Sequence, residues 1–404
     1  MTIRQLWAAT GVLLLCACGP SDKTELPADP AQRALELARM SIIVDGHIDV
    51  PYRLNKEWVN VSVSTEDGDF DYPRAVAGGL NAPFMSIYIP ADKQTEDARE
   101  LADGLIGYVN RIVDDAPDKF AIPFSVADVR RHFAAGVVSL PMGLENGSPI
   151  GNDLRMIEYY YDRGIRYVTL THSESNQISD SSYDDDKQWD GLSDFGLEVV
   201  REMNRVGIMV DVSHVSDAAF WDIMEIAQAP VIASHSSART FTTDWERNMS
   251  DDMIRRVAEN GGVVMINFGS AFIAKPANEY SRARSDAYDA YIEENGLVKN
   301  DEIEDEFIDL YGRENGPYPY ATLEQVLVHF DHVVSLAGID HVGIGSDYDG
   351  VGDSLPVGLK DVSSYPKLIE GFLARGYSDA DIRKILGENL LRVWAEVEAR
   401  AQGG

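Results

Sequence analysis

Residues 42–49 read Ile42-Ile43-Val44-Asp45-Gly46-His47-Ile48-Asp49. An apolar run closes on an imidazole and a carboxylate two positions apart, which on a strand share one face. The same form returns along the chain as Phe84 to Ile89, Val137 to Glu145, Arg166 to His172, Ile208 to His214, Val231 to His235, Gly262 to Phe268 and His341 to Asp347. Continuous runs rich in Val, Ile and Leu suit parallel strands covered on both faces. Amphipathic stretches such as Asp194 to Val206 and Ser216 to Ala227 lie between them and read as helices. Strand–helix alternation repeated eight times predicts an α/β fold, a closed (β/α)8 barrel of the TIM type, with an open doubly wound sheet as the structural alternative. No glycine-rich phosphate loop follows any run. Two connections are long: Ser173 to Gly191 after the fourth strand, rich in Ser and Asp, and Ala271 to Ala321 after the seventh, acidic and rich in Tyr. Such insertions are expected to be functional, and the second to contain helices that shape a pocket.

Six of the eight runs end in a residue able to bind a metal or move a proton: His47 with Asp49, Glu145, His172, His214, His235 and Asp347. Barrel active sites form where the C-terminal ends of the strands converge, so these residues are expected to meet. Neutral imidazoles and carboxylates are good zinc ligands. One buried histidine is usually a satisfied core residue, but four at the ends of four strands require a shared purpose. His329 and His332 lie three apart on an expected helix among apolar residues and read as structural, and His132 and His341 stand outside the constellation.

The N-terminus reads as a processing segment. Arg4 precedes an apolar stretch, Leu6 to Ala17, which is short for a transmembrane helix. It ends in Leu15-Cys16-Ala17-Cys18, which resembles a bacterial lipoprotein box. The expectation is a signal peptide over 1–17, lipidation of Cys18, a tether over 18–32 and a folded domain over 33–404. Gly19 rather than aspartate after the cysteine, by resemblance to Gram-negative lipoproteins, implies the outer membrane. The chain's two cysteines both lie in this segment, so a metal site must use His, Asp and Glu. A net charge of −32 argues against nucleic acid and against electrostatic binding to anionic lipid.

The chain resembles the membrane dipeptidase (renal dipeptidase) family of zinc peptidases. The resemblance is carried by Asp45-Gly46-His47-Ile48-Asp49, Gly143-Leu144-Glu145-Asn146-Gly147, Gly164 to His172, Gly191-Leu192-Ser193, Asp211 to Ser216, Pro230 to Ser237, Arg247-Asn248 and Gly343 to Gly350, in the family's order. It implies two Zn2+ ions: His47 and Asp49 on the first, His214 and His235 on the second, and Glu145 bridging both. His172 would contact the substrate carbonyl, Arg247 would pair with a substrate carboxylate, with Arg239 as the alternative, and Asp347 would handle the proton. A metal-bridging hydroxide would then cut a dipeptide, including one with a C-terminal D-residue, in an enzyme that forms a homodimer. The sequence departs from the animal pattern at Asn146, where those enzymes have glycine. The rival reading is a related binuclear barrel amidohydrolase acting on a non-peptide amide, ester or lactone. Many of those bridge their metals through a carboxylated lysine on the fourth strand, and Arg166 to His172 contains none.

Overall fold

The computed structural model describes residues 27–242 and 244–402. The expected signal peptide and Cys18 lie outside the described residues. The helix Pro30–Met40 opens with proline in its first turn, and the Asp29 side chain caps it by accepting from the Gln32 N–H. The folded part thus takes in the last three residues assigned to the tether.

All eight apolar runs form strands: β1 (Ile43–Ile48), β2 (Leu80–Tyr88), β3 (Met142–Glu145), β4 (Ile165–Thr169), β5 (Met209–Asp211), β6 (Ile232–Ala233), β7 (Val263–Ile266) and β8 (Val342–Ile344). They pair in parallel and in sequence order, and β8 closes on β1 to complete the barrel. The open-sheet alternative is therefore excluded. The third run is divided. Val138–Ser139 pairs with Phe120–Ala121 in a separate two-stranded sheet, and Pro141, which has no N–H to continue a ladder, stands between it and β3. The helices Asp194–Val206 and Asp217–Ile226 stand where the sequence places them, each capped by the preceding serine.

The barrel interior is packed rather than hollow. Val44, Phe84, Tyr167, Met209, Ile232 and Met265 fill it, and the C-terminal helix Asn389–Gln402 seals its lower end, with Trp394 centred 5.5 Å from Phe84. Apolar filling below leaves the polar strand ends gathered at the top.

The two long connections lie at that same end. The one after β4 is organised by the Asp180 carboxylate, which accepts the backbone N–H groups of Gln188, Trp189 and Gly191. The one after β7 begins with a short helix, Ser270–Ile273, followed by Lys275–Asn295 and Asp301–Asn315. These two long helices are joined by aromatic contacts, Phe307 against Tyr288 and Tyr291, and Tyr280 against Tyr311. No helix among the described residues is long and apolar enough to cross a membrane.

Candidate metal centre

Glu145, the last residue of β3, is the hub of the strand ends. Its Oε2 lies 3.3 Å from His47 Nε2 and accepts the Ser86 hydroxyl of β2 at 3.0 Å. Its Oε1 faces His214 Nε2 at 3.2 Å, His235 Nε2 at 3.3 Å and His172 Nε2 at 3.6 Å. One carboxylate thus divides the histidines between its two oxygens. Asp49 Oδ2 is 3.3 Å from His47 Nε2 on the first side. Asp49 stands before the helix Val50–Lys56, yet its side chain does not cap that helix and is left facing the cluster.

The donor atoms fit a metal. Among the described residues, His47, Glu145 and His235, then Glu145, His172 and His214, then His47, Asp49 and Asp347 form three groups whose ligand atoms lie within 4.8 Å of one another. His47 Nε2 is buried without a hydrogen-bond partner, and the Nε2 atoms of His214 and His235 face each other at 2.9 Å. Lone pairs converging on one small volume, with few protons to place between them, call for a cation. Imidazole and carboxylate donors without thiolate suit zinc and its neighbours in the first transition row.

A second layer orients the rings. His235 Nδ1 is held by the Ser234 hydroxyl at 2.7 Å, and Ser234 itself donates to the buried Asp211 carboxylate. His47 Nδ1 meets the Tyr167 hydroxyl at 2.8 Å. With Nε2 given to a metal, Nδ1 keeps the proton and donates it to the phenol oxygen. The Tyr167 ring lies across Gly143, where any Cβ would stand 2.0 Å from the ring, so glycine at 143 makes room for this partner. Replacing Tyr167 with Phe is expected to weaken metal binding by about 10–100-fold. Competition with a chelator measures this, and unchanged affinity would remove Tyr167 from the centre.

The electrostatics follow from burial and neighbours. Burial alone would raise Glu145, but the surrounding imidazoles hold it well below the usual carboxylate range. Burial, reinforced by Arg247, drives His214 well below the ordinary histidine value. Burial, reinforced by His47 and Arg247, does the same to His235. His172 is also lowered by burial, against the pull of Glu145. Asp347 is pushed up to about 7 by burial, with the Asp49 and Glu145 carboxylates adding to the rise and His47 and Arg247 opposing it. Its Oδ2 accepts from the Asn267 side chain at 2.7 Å.

Backbone strain concentrates here. Asn146, His214, Asp347 and Asp349 all have positive φ, at 79°, 68°, 64° and 65°. Such conformations cost about 1–3 kcal/mol each for residues other than glycine and gather at functional sites. Position 146 explains its own departure from the animal pattern, since asparagine is the side chain that best tolerates a left-handed backbone. Its amide donates to the Ile89 carbonyl and accepts from Ser148 and Asn176.

The two arginines separate. Arg239 is committed to a bidentate pair with Asp217. Arg247 is buried and enters the cluster, donating to the Ser236 hydroxyl at 2.7 Å and the His235 carbonyl at 2.9 Å, with Nη2 2.9 Å from His214 Nε2. Its Nε has no partner. His329 is held between the Ala238 N–H and the Ile273 carbonyl and depressed to about 4 by burial, and His332 pairs with Asp251, away from the centre. His132 meets Ser139, and His341 meets the Gly262 carbonyl. Sequence reasoning passed over Ser86, Tyr167 and Asn267. Asn267 was visible as the polar residue near the end of the seventh run, and Tyr167 as a phenol within an otherwise apolar strand.

Residues 31–403 match the family model described as membrane dipeptidase, peptidase family M19. Among solved structures, the probable dipeptidase PvdM from Pseudomonas aeruginosa is 28% identical, with 93% of this chain and 100% of that chain covered and a TM-score of 0.80. Dipeptidase AC, a metallopeptidase of family M19, is 26% identical over 88% of this chain and 98% of its own, with a TM-score of 0.73. A metallopeptidase from Rhodobacter sphaeroides, solved with a phosphinate mimic of the dipeptide L-Ala-D-Ala, is 26% identical over 88% of this chain and 99% of its own, with a TM-score of 0.73.

Proposed function

The chain belongs to the membrane dipeptidase family, peptidase family M19, and from that premise we propose that it is a binuclear zinc enzyme that hydrolyses dipeptides with an L- or D-residue at the C-terminal position. His47 and Asp49 would hold one ion, His214 and His235 the other, and Glu145 would bridge them. When bound, zinc supplies Lewis acidity toward the scissile carbonyl and a water acidified to near neutrality. The phosphinate mimic of L-Ala-D-Ala bound by the Rhodobacter sphaeroides relative supports both the size of the substrate and the tolerance of a D-residue.

The observation that carries this reading is the buried guanidinium of Arg247, directed at the donor cluster with Nε unpaired. Once His214 Nε2 is given to a metal, it no longer accepts from Arg247 Nη2. The Nε–H and that Nη2–H are then free to take a carboxylate. A small substrate with a free carboxylate satisfies both. His172 is neutral because burial lowers its pKa, so one ring nitrogen carries a proton. It donates that N–H to the carbonyl oxygen as charge grows there. Asp347, with Oδ2 held by Asn267, takes a proton at Oδ1 from the attacking water and returns it to the leaving amine.

The test is hydrolysis of a dipeptide and of its C-terminal amide by the zinc-loaded protein. The free acid is expected to be cut and the amide spared. Replacing Arg247 with Lys, which keeps the charge but loses the two-pronged donor geometry, is expected to raise KM for the acid by about 10–100-fold, the value of one hydrogen bond to a charged group. Equal hydrolysis of acid and amide would overturn the clamp, and hydrolysis of neither would overturn the dipeptidase reading.

A further inference from the structure

Three connections each bring one aromatic side chain to the neighbourhood of Arg247 and His214. Tyr183 comes from the long connection after β4, Trp245 from the loop after β6, and Phe272 from the short helix after β7. The rings form a continuous arc. Trp245 stands 6.1 Å from Tyr183, edge to face, and 5.0 Å from Phe272. Tyr183 lies 5.8 Å from the His214 ring, and the Arg247 guanidinium sits 5.1 Å over Phe272.

The arc is fixed and open. Asn248, next to Arg247, donates its backbone N–H to the Trp245 carbonyl and its side-chain amide to the Phe272 carbonyl, so one residue ties two of the three rings to the clamp. Tyr183 keeps 42% of its surface exposed. Trp245 and Phe272 are also partly exposed. Partly bare aromatic rings in a preformed arrangement are what a binding pocket presents to an apolar group, because little ordering is left to be done on binding.

A carboxylate held by Arg247 places the Cα that bears it one bond further on, and that residue's side chain then falls against the arc. Flat apolar groups gain there from burial and from offset or edge-on ring contacts. An acidic side chain meets the negative faces of the rings and gains nothing from burial there.

We propose that Tyr183, Trp245 and Phe272 form the pocket for the side chain of the substrate's C-terminal residue and select dipeptides ending in an aromatic or large aliphatic residue over those ending in an acidic one. The inference rests on the dipeptidase reading and deepens it. The experiment compares kcat/KM of the zinc-loaded protein for L-Ala-L-Phe, L-Ala-Gly and L-Ala-L-Asp. The phenylalanine substrate is expected to exceed the glycine substrate by at least about tenfold, and the aspartate substrate to fall below both. In Trp245→Ala and Phe272→Ala the Phe-to-Gly ratio is expected to drop at least about fivefold, whereas Trp245→Phe retains most of it. A ratio measured within one preparation does not depend on the fraction of folded protein. If L-Ala-Gly is cut but wild type shows no preference, or the preference survives both alanine variants, the pocket is overturned and the dipeptidase reading stands. If none of the three is cut, both fall together.

Discussion

Replacing Glu145 with Gln is expected to strip the centre of metal and with it the turnover. The carboxylate reaches both halves of the cluster, with Oε2 toward His47 and Oε1 toward His214 and His235. It is anionic at neutral pH because four imidazoles hold it well below the carboxylate range against the effect of burial. The amide matches its shape but carries no charge and only one acceptor. Ser86 donates to the Oε2 position and will keep the amide oxygen there. The amide nitrogen then points at His214 and His235, where donors repel a cation. Removing one charge from a buried, paired set costs about 3–5 kcal/mol, or roughly 10²–10⁴-fold in affinity. The loss should fall first on the ion that His214 and His235 would hold. Metal content after dialysis, measured beside turnover, checks this. A variant that retained two ions per chain would remove Glu145 as the bridge.

The parts of this site that were legible in the sequence are those that strand geometry fixes. A buried parallel strand must be apolar along its length, so a histidine or carboxylate at its end stands out. His47, Asp49, Glu145, His172, His214, His235 and Asp347 were found in that way, and the barrel brings them together. The pairing of β8 with β1 was implied by the count of eight and needed the structure to be seen. What the pattern hid was polar chemistry inside the apolar runs. Tyr167 reads as one more hydrophobic residue until its hydroxyl is found 2.8 Å from His47 Nδ1, across a barrel interior that Gly143 leaves open. Arg247 and Arg239 were indistinguishable by position in a loop. Asp217 separates them, because it neutralises Arg239 and leaves Arg247 as the guanidinium with an unpaired Nε. The aromatic arc was the least legible, since Tyr183, Trp245 and Phe272 come from three loops whose mutual distances no local spacing encodes.

Replacing Asp347 with Asn is expected to leave zinc bound and lower kcat by about 10²–10⁴-fold, the usual contribution of a positioned proton carrier. The variant is suited to the question because little else should change. Position 347 has a φ of 64°, a conformation that asparagine adopts as readily as aspartate. The Asn267 amide, which donates to Oδ2, will donate only to the oxygen of the new side chain, so the orientation is fixed and the NH2 group takes the place of Oδ1. Shape and the outer hydrogen bond are kept, and the capacity to accept a proton is removed. Burial and the neighbouring carboxylates push Asp347 up to about 7, which suits the proposed role of taking and returning a proton near neutrality. KM should move little if Arg247 and the aromatic arc hold the substrate as proposed. Metal content decides between this role and its rival. Asp347 lies in one donor group with His47 and Asp49, so loss of an ion in the variant would make it a ligand. Full metal occupancy with kcat within about threefold of wild type would place the proton on another group.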